Sequence, residues 1–182
     1  MVREAELEAT EAGLAPKGPG WFIVNAKEAR WIEHPTFGSG TTFEGDGDAH
    51  FQELGVNIGV MEPGQPACMY HRENQQEDFL VLFGECIVIV EGQERPLKAW
   101  DFVHCPPGTN HVFVGAGDGP CAVLSIGRRL PRDEEKLVYP VDDAALKHGA
   151  GVETETPDPK QAYAPFERPA PAPYRGQLDD AG

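Results

Sequence analysis

Along the middle of this chain, short apolar runs recur at near-regular spacing with glycine and proline between them. Leu54–Met61 alternates and runs into Pro63 and Gly64, the pattern of a strand that ends in a turn. Residues 78–91 hold two β-rich runs broken at Gly84-Glu85, and a further turn follows at Gly92-Gln93, so two successive hairpins are predicted. Both parities of these runs are apolar. Each face therefore needs cover, one from the interior and the other from a chain extension or a second subunit. Short strands at 99–105, 111–114 and 121–127 continue the series, which is the pattern of an all-β barrel or sandwich and not of alternating βα units.

The flanks differ. Residues 3–12 predict a short acidic helix that Gly13 and Pro16 end, in what amounts to an arm. Residues 21–26 predict a strand, 27–34 a turn with a second short strand, and Gly38 to Gly47 a loop by composition. Beyond Arg128, Asp142 caps a short helix that Gly149 stops. From Glu153 onward there are six prolines, and Tyr163, Phe166 and Tyr174 are spaced either as anchors of an extended strap or within a disordered end. The chain divides into an arm with flanking strands (1–53), a core (54–127) and a C-terminal extension (128–182).

Charge narrows the partners. Thirty acidic against fifteen basic residues leave a net charge of −15, which opposes nucleic acid and anionic membranes and leaves small molecules and basic partners. The opening residues are charged and no apolar run reaches the length of a membrane span, so a cytoplasmic protein is expected. Cys68, Cys86, Cys105 and Cys121 form no CxxC pair and are expected as reduced thiols, with Cys68 and Cys105 close in sequence to candidate ligands. No nucleophilic triad, phosphate-binding glycine loop or zinc-finger spacing is present.

Candidate chemistry concentrates in 63–111. His71, Glu73 and Glu77 share parity, so in an extended segment they project to one side. His111 comes forty residues after His71 and must join them by strand pairing. Imidazole and carboxylate donors suit one divalent ion such as Fe, Mn, Co, Ni or Zn, and two histidines with one carboxylate leave coordination positions open. Phe79, Phe83, Phe113 and Trp100 have the spacing of interior lining, and His104 is a candidate for the surroundings of the site.

The segments PGQPACMYHRENQQEDFLVLFGE and WDFVHCPPGTNH resemble the two motifs of the cupin superfamily. Gly64, His71, Glu77 and Gly84 match the first motif, with Glu73 where a second histidine is expected. Pro106, Gly108 and His111 match the second, with Trp100 and Gly115 in place of its first glycine and its asparagine. The resemblance covers roughly 54–127 and implies a double-stranded β-helix of jelly-roll type that holds one divalent metal on His71, Glu77, His111 and Glu73. It implies either an enzyme, such as a metal-dependent dioxygenase or isomerase, or a non-catalytic module that binds a small ligand. A homodimer is expected to cover the outer apolar face.

Overall fold

Valine, isoleucine and phenylalanine pack well on a pleated surface, and the glycines between them let the chain change direction. A computed structural model, which describes residues 1–131 and 133–179, shows where the strands go. The arm is a hairpin of β1 (Leu7–Thr10) and β2 (Gly13–Pro16). There follow β3 (Trp31–His34), β4 (Gly38–Thr42), β5 (Leu54–Met61), the short β6 (Arg72–Glu73), β7 (Glu77–Phe83), β8 (Glu85–Val90) and β9 (Gln93–Lys98). Then come β10 (Phe102–Cys105), β11 (His111–Ala116), β12 (Cys121–Arg128), β13 (Leu137–Val138), α1 (Asp143–Lys147), α2 (Pro159–Ala162) and β14 (Ala170–Ala172).

Two sheets make the body of the molecule. One has seven strands in the order β10-β7-β12-β5-β4-β3-β14, and the other has three in the order β11-β8-β9. They meet over Met61, Phe79, Val81, Cys86, Val88, Phe113 and Val123, each nearly sealed from solvent. Burying one such side chain stabilises the fold by about 1.5–3 kcal/mol, which makes this interface the dominant one. The result is the two-sheet all-β architecture that the strand spacing predicts, of the jelly-roll type that the motif resemblance implies. Cover for the outer face of β8 and β11 comes from the chain itself, where Ala145 of α1 and Ala150 pack on Ile89, Val112 and Val114. The predicted cap is present, since Asp142 accepts from the Ala145 amide at 2.9 Å.

Several local expectations give way to tertiary context. The arm pairs as a hairpin and not a helix, because ten residues cannot offset helix nucleation while Thr10 and Gly13 close a tight turn through the Thr10 hydroxyl. Residues 22–25 join no ladder, and only Trp21 bridges, to Glu4. Gly38–Thr42, loop-like by composition, is a strand because β3 and β5 flank it and supply its hydrogen bonds. β7 and β8 do not pair with each other. The turn at Gly84 is a corner between the two sheets, whereas Glu91-Gly92 does close the hairpin of β8 and β9. Trp100 is 73% exposed and lines nothing. Among the described residues no helix is long and apolar enough to cross a membrane.

The C-terminal extension is a strap. Its Tyr163 and Phe166 rings lie 5.3 and 4.8 Å from Phe37, Tyr174 lies 5.5 Å from Trp31, and β14 adds an edge strand to β3. His34 donates from Nε2 to the Glu167 carbonyl at 2.8 Å. Inside the sheet edge, Arg129 donates to both carboxylate oxygens of Glu44, at 2.8 and 2.6 Å, and to the Phe51 carbonyl. Burial acts to raise the Glu44 carboxyl, yet the Arg129 hydrogen bonds, the Phe51 amide and the Arg129 charge together hold it below its ordinary value.

Two outcomes follow. Gly84 has φ 74°, and a Cβ there would stand 2.3 Å from the Pro120 carbonyl oxygen. Gly84→Ala is therefore expected to destabilise by at least about 2 kcal/mol, read by denaturant unfolding, while Gly59→Ala, whose Cβ meets no atom within 4 Å, leaves the midpoint near wild type. Because Glu44 is depressed, its contribution is present above the ordinary value of 4.5 and is lost as pH falls through the folded value. Glu44→Gln should lower Tm at neutral pH, with the gap to wild type closing as the buffer is acidified. A gap that persists or widens in acid would contradict the pairing.

Candidate metal centre

The site is built by backbone pairing. The segment after β5 runs antiparallel to β11, with Pro66 opposite Val114 and His71 opposite His111. His71 and His111 exchange both main-chain hydrogen bonds, at 3.2 and 2.8 Å, so that their side chains stand on the same face as direct cross-strand neighbours. Their ring centroids are 4.9 Å apart. Glu77 arrives from the opposite sheet, as the first residue of β7, held between Cys105 and Gly127. Its carboxylate oxygen lies 3.4 Å from His111 Nε2.

Ligand atoms of His71, Glu77 and His111 all lie within 4.8 Å of one another. Two donors each about 2.0–2.2 Å from one ion stand roughly 3–4 Å apart, a range that the 3.4 Å between Glu77 and His111 meets, and the whole group needs only a small contraction to share a metal. The imidazoles are also set for it. His71 Nδ1 lies 2.8 Å from the Met69 carbonyl and His111 Nδ1 lies 3.0 Å from the Thr109 carbonyl. A carbonyl only accepts, so each Nδ1 carries the proton and each Nε2 presents its lone pair to the cluster.

The electrostatics match. Burial pushes the Glu77 carboxyl up to about 8, and the nearby Glu73 adds to the rise. Burial likewise pushes His111 down to about 4, with His71 beside it as the second cause, and lowers His71. A divalent cation would reverse the shift of Glu77 and reinforce those of the histidines, because it favours a carboxylate and neutral imidazoles together.

The other candidate residues spread out. Glu73 lies on β6, paired with Leu137, and is not one of the three clustered donors; burial and Glu135 raise its carboxyl. A bend at Asn74 and Gln75 separates it from β7, so the shared parity of 71, 73 and 77 does not run along one continuous strand. His104 is half exposed and pairs with Asp78 at 2.6 Å, which takes it away from the cluster. Phe79 and Phe113 do wall the site, with ring centroids 4.7 Å apart and Phe79 5.1 Å from His111. Phe83 does not. A register shift between Ala122 and Val123 inserts one extra residue in β7, which turns Phe83 to the other face, against Trp31 and Ile58. Cys68 approaches His71 at Nδ1, the edge turned away from the cluster, and burial pushes its thiol up to about 12. Cys105 is buried in the core.

Tyr139, whose ring centroid is 6.1 Å from that of His71, was not foreseeable from local pattern. Neither was the contribution of Tyr163, whose hydroxyl accepts from the Met69 amide at 3.1 Å and so steadies the loop that orients His71. Only its spacing with Phe166 and Tyr174 marked it.

The cluster opens onto a cavity of about 1340 Å³. Strand register lays its floor in two rows: Val123, Gly59, Gly40 and Ile32, then Phe79, Ser125, Asn57 and Thr42. Residues of the strap, among them Tyr163 and Phe166, form a further wall.

A cupin domain model matches residues 57–127. No curated protein matches the chain at a significant level. Among solved structures, one described as a predicted oxalate decarboxylase of Thermotoga maritima is 18% identical over 60% of this chain and 100% of that one, with a TM-score of 0.52. An RmlC-like cupin of Shewanella frigidimarina is also 18% identical, over 63% and 96%, with a TM-score of 0.51. A protein of Acidithiobacillus ferrooxidans is 24% identical at a TM-score of 0.46, over 55% of this chain, and the match spans 63% of that chain's length. At such identities the likeness is one of fold. The matched segment contains the whole His71, Glu77 and His111 cluster, the three-stranded sheet and strands β7, β10 and β12 of the other, so that by strand order, motif and family model alike residues 57–127 form a cupin domain.

Proposed function

We propose that the chain binds one divalent transition metal ion through Nε2 of His71, Nε2 of His111 and a carboxylate oxygen of Glu77, and that a small molecule occupies the adjoining cavity. The observation that carries this reading is the cluster itself, three borderline donors within 4.8 Å with both imidazoles already oriented by main-chain carbonyls. Fe, Mn, Ni and Zn all suit such a set. Once bound, the ion would supply a Lewis acid, or with iron a centre for oxygen chemistry. The chain's own part is to keep Nε2 of each histidine unprotonated, to exclude water with Phe79 and Phe113, and to leave the side facing the cavity open to a ligand. Glu73 contributes negative charge beside Glu77 without standing in the cluster.

A non-catalytic binding role is the second reading, and one observation favours it. The titratable side chains beside His71 other than the three donors are Cys68 and Tyr139, and burial pushes both up to about 12. Neither is a ready base at neutral pH, which leaves Glu73, beside Glu77 but outside the cluster, as the nearby carboxylate that a reaction needing a protein base would have to use.

Metal content by mass spectrometry, on full-length protein purified without chelators, tests the first reading. About one ion per chain is expected for wild type after reconstitution, and none for a His71→Ala, His111→Ala double variant that keeps the wild-type circular dichroism. Glu77→Gln should weaken affinity at least tenfold, by roughly the scale that lost support of a metal ligand produces. Equal metal content in wild type and the double variant would place the ion elsewhere and overturn the proposal.

A further inference from the structure

The cavity beside the cluster has more to say than its size. At about 1340 Å³ it has the volume of roughly forty-five water molecules at about 30 Å³ each, so a two-carbon diacid or one sugar would leave most of it filled with solvent. Its floor is flat where Gly59 and Gly40 pair, because neither carries a side chain, and a Cβ at Gly59 would meet no atom within 4 Å. Apolar groups close the sides: Phe79 and Phe113 next to the metal cluster, and Phe37, Tyr163 and Phe166 where the strap folds over.

Charged recognition is largely spent within the protein. Both terminal nitrogens of Arg129 go to Glu44, and Arg30 is paired with Asp46 at 3.0 Å. The other two cations lining the cavity, Lys160 and Arg168, are solvent-exposed residues of the strap. No lysine or arginine pairs with Glu77 among the described residues, whose only ion-pair contact is His111. A phosphate or second carboxylate would thus find no built anion site beside the metal.

We propose that the cavity takes a planar, ring-bearing apolar molecule with adjacent oxygen donors at one end, the oxygens directed to the metal cluster and the rings laid over Gly59 between Phe79, Phe113 and the strap aromatics. This rests on the metal reading above and goes beyond it by naming the ligand class. The physical basis is a match of shape and polarity: aromatic groups beside the cluster and under the strap, with the side-chain-free stretch at Gly59 and Gly40 between them, accept a flat ring system, while the cluster and the adjoining row of Ser125, Asn57 and Thr42 meet its oxygens. Sugar phosphates and small diacids are the alternatives that the following experiment separates from this class.

The test uses full-length protein loaded with Co(II), whose visible spectrum reports ligation separately from any activity. 2,3-Dihydroxynaphthalene, oxalate and glucose 6-phosphate are titrated by calorimetry and by the Co(II) band. The naphthalene diol is expected to bind at least about tenfold more tightly than either other probe, the scale set by burial of one ring's apolar surface. Gly59→Phe, which fills the floor, should weaken the diol at least about tenfold while the Co(II) spectrum of the probe-free protein is unchanged. Gly59→Leu serves the same purpose if the larger side chain disturbs folding. Tighter binding of oxalate or glucose 6-phosphate, or diol binding indifferent to both Gly59 variants, overturns the ligand class and leaves the metal site standing. Absence of a Co(II) band that depends on His71 and His111 overturns the metal reading, and this inference with it.

Discussion

The mutual pair of main-chain hydrogen bonds between His71 and His111 is the contact on which the rest depends. It joins the segment after β5 to β11, and so closes one side of the layer that faces the seven-stranded sheet. The same contact turns two histidines forty residues apart into side-by-side neighbours on one face. If that pairing slipped by one residue, the imidazole of the strand that moved would turn to the opposite face, and with it that strand's share of the core. Fold and site are therefore held by one register.

Around that register the two sheets have different duties. The three-stranded sheet and its added segment carry the two histidines and Phe113, while the seven-stranded sheet supplies Glu77, Phe79 and the glycine-rich floor. Opposed layers of this kind place a carboxylate and two imidazoles at the inner end of the cavity, where burial disfavours their charged forms and a bound cation would restore the carboxylate while keeping the imidazoles neutral. The strap then sets the outer limit of the cavity. Its anchoring by Phe37, Trp31 and the edge of β3 ties the residues after 158 to the same sheet that carries Gly40 and Gly59.

The absence of a histidine at position 73 has a structural counterpart. Glu73 ends a two-residue strand paired with β13, and the bend at Asn74 and Gln75 follows immediately. The cluster of three is assembled without it, from residues fixed by longer ladders. What Glu73 does contribute is repulsion of a second carboxylate, which adds to the stabilisation any bound cation would bring.

Hydrophobic alternation and glycine spacing in the sequence determined the all-β class, the strand series from Leu54 to Arg128 and the cap at Asp142, while parity and the motif resemblance marked His71, Glu73, Glu77 and His111, of which the fold brings the first, third and fourth together. These are legible because side-chain parity, caps and turn residues act over a few positions. Composition left the strap open, and only packing of Tyr163, Phe166 and Tyr174 on Phe37 and Trp31 decided it. Tertiary structure alone decided that Gly84 is a corner between sheets, that the bulge in β7 sends Phe83 to the opposite face, that Gly38–Thr42 is a strand, and that Asp78 draws His104 away from the site. Each of those outcomes depends on partners distant in the chain, whose hydrogen bonds and apolar surfaces outweigh local preference and leave no trace in the local pattern.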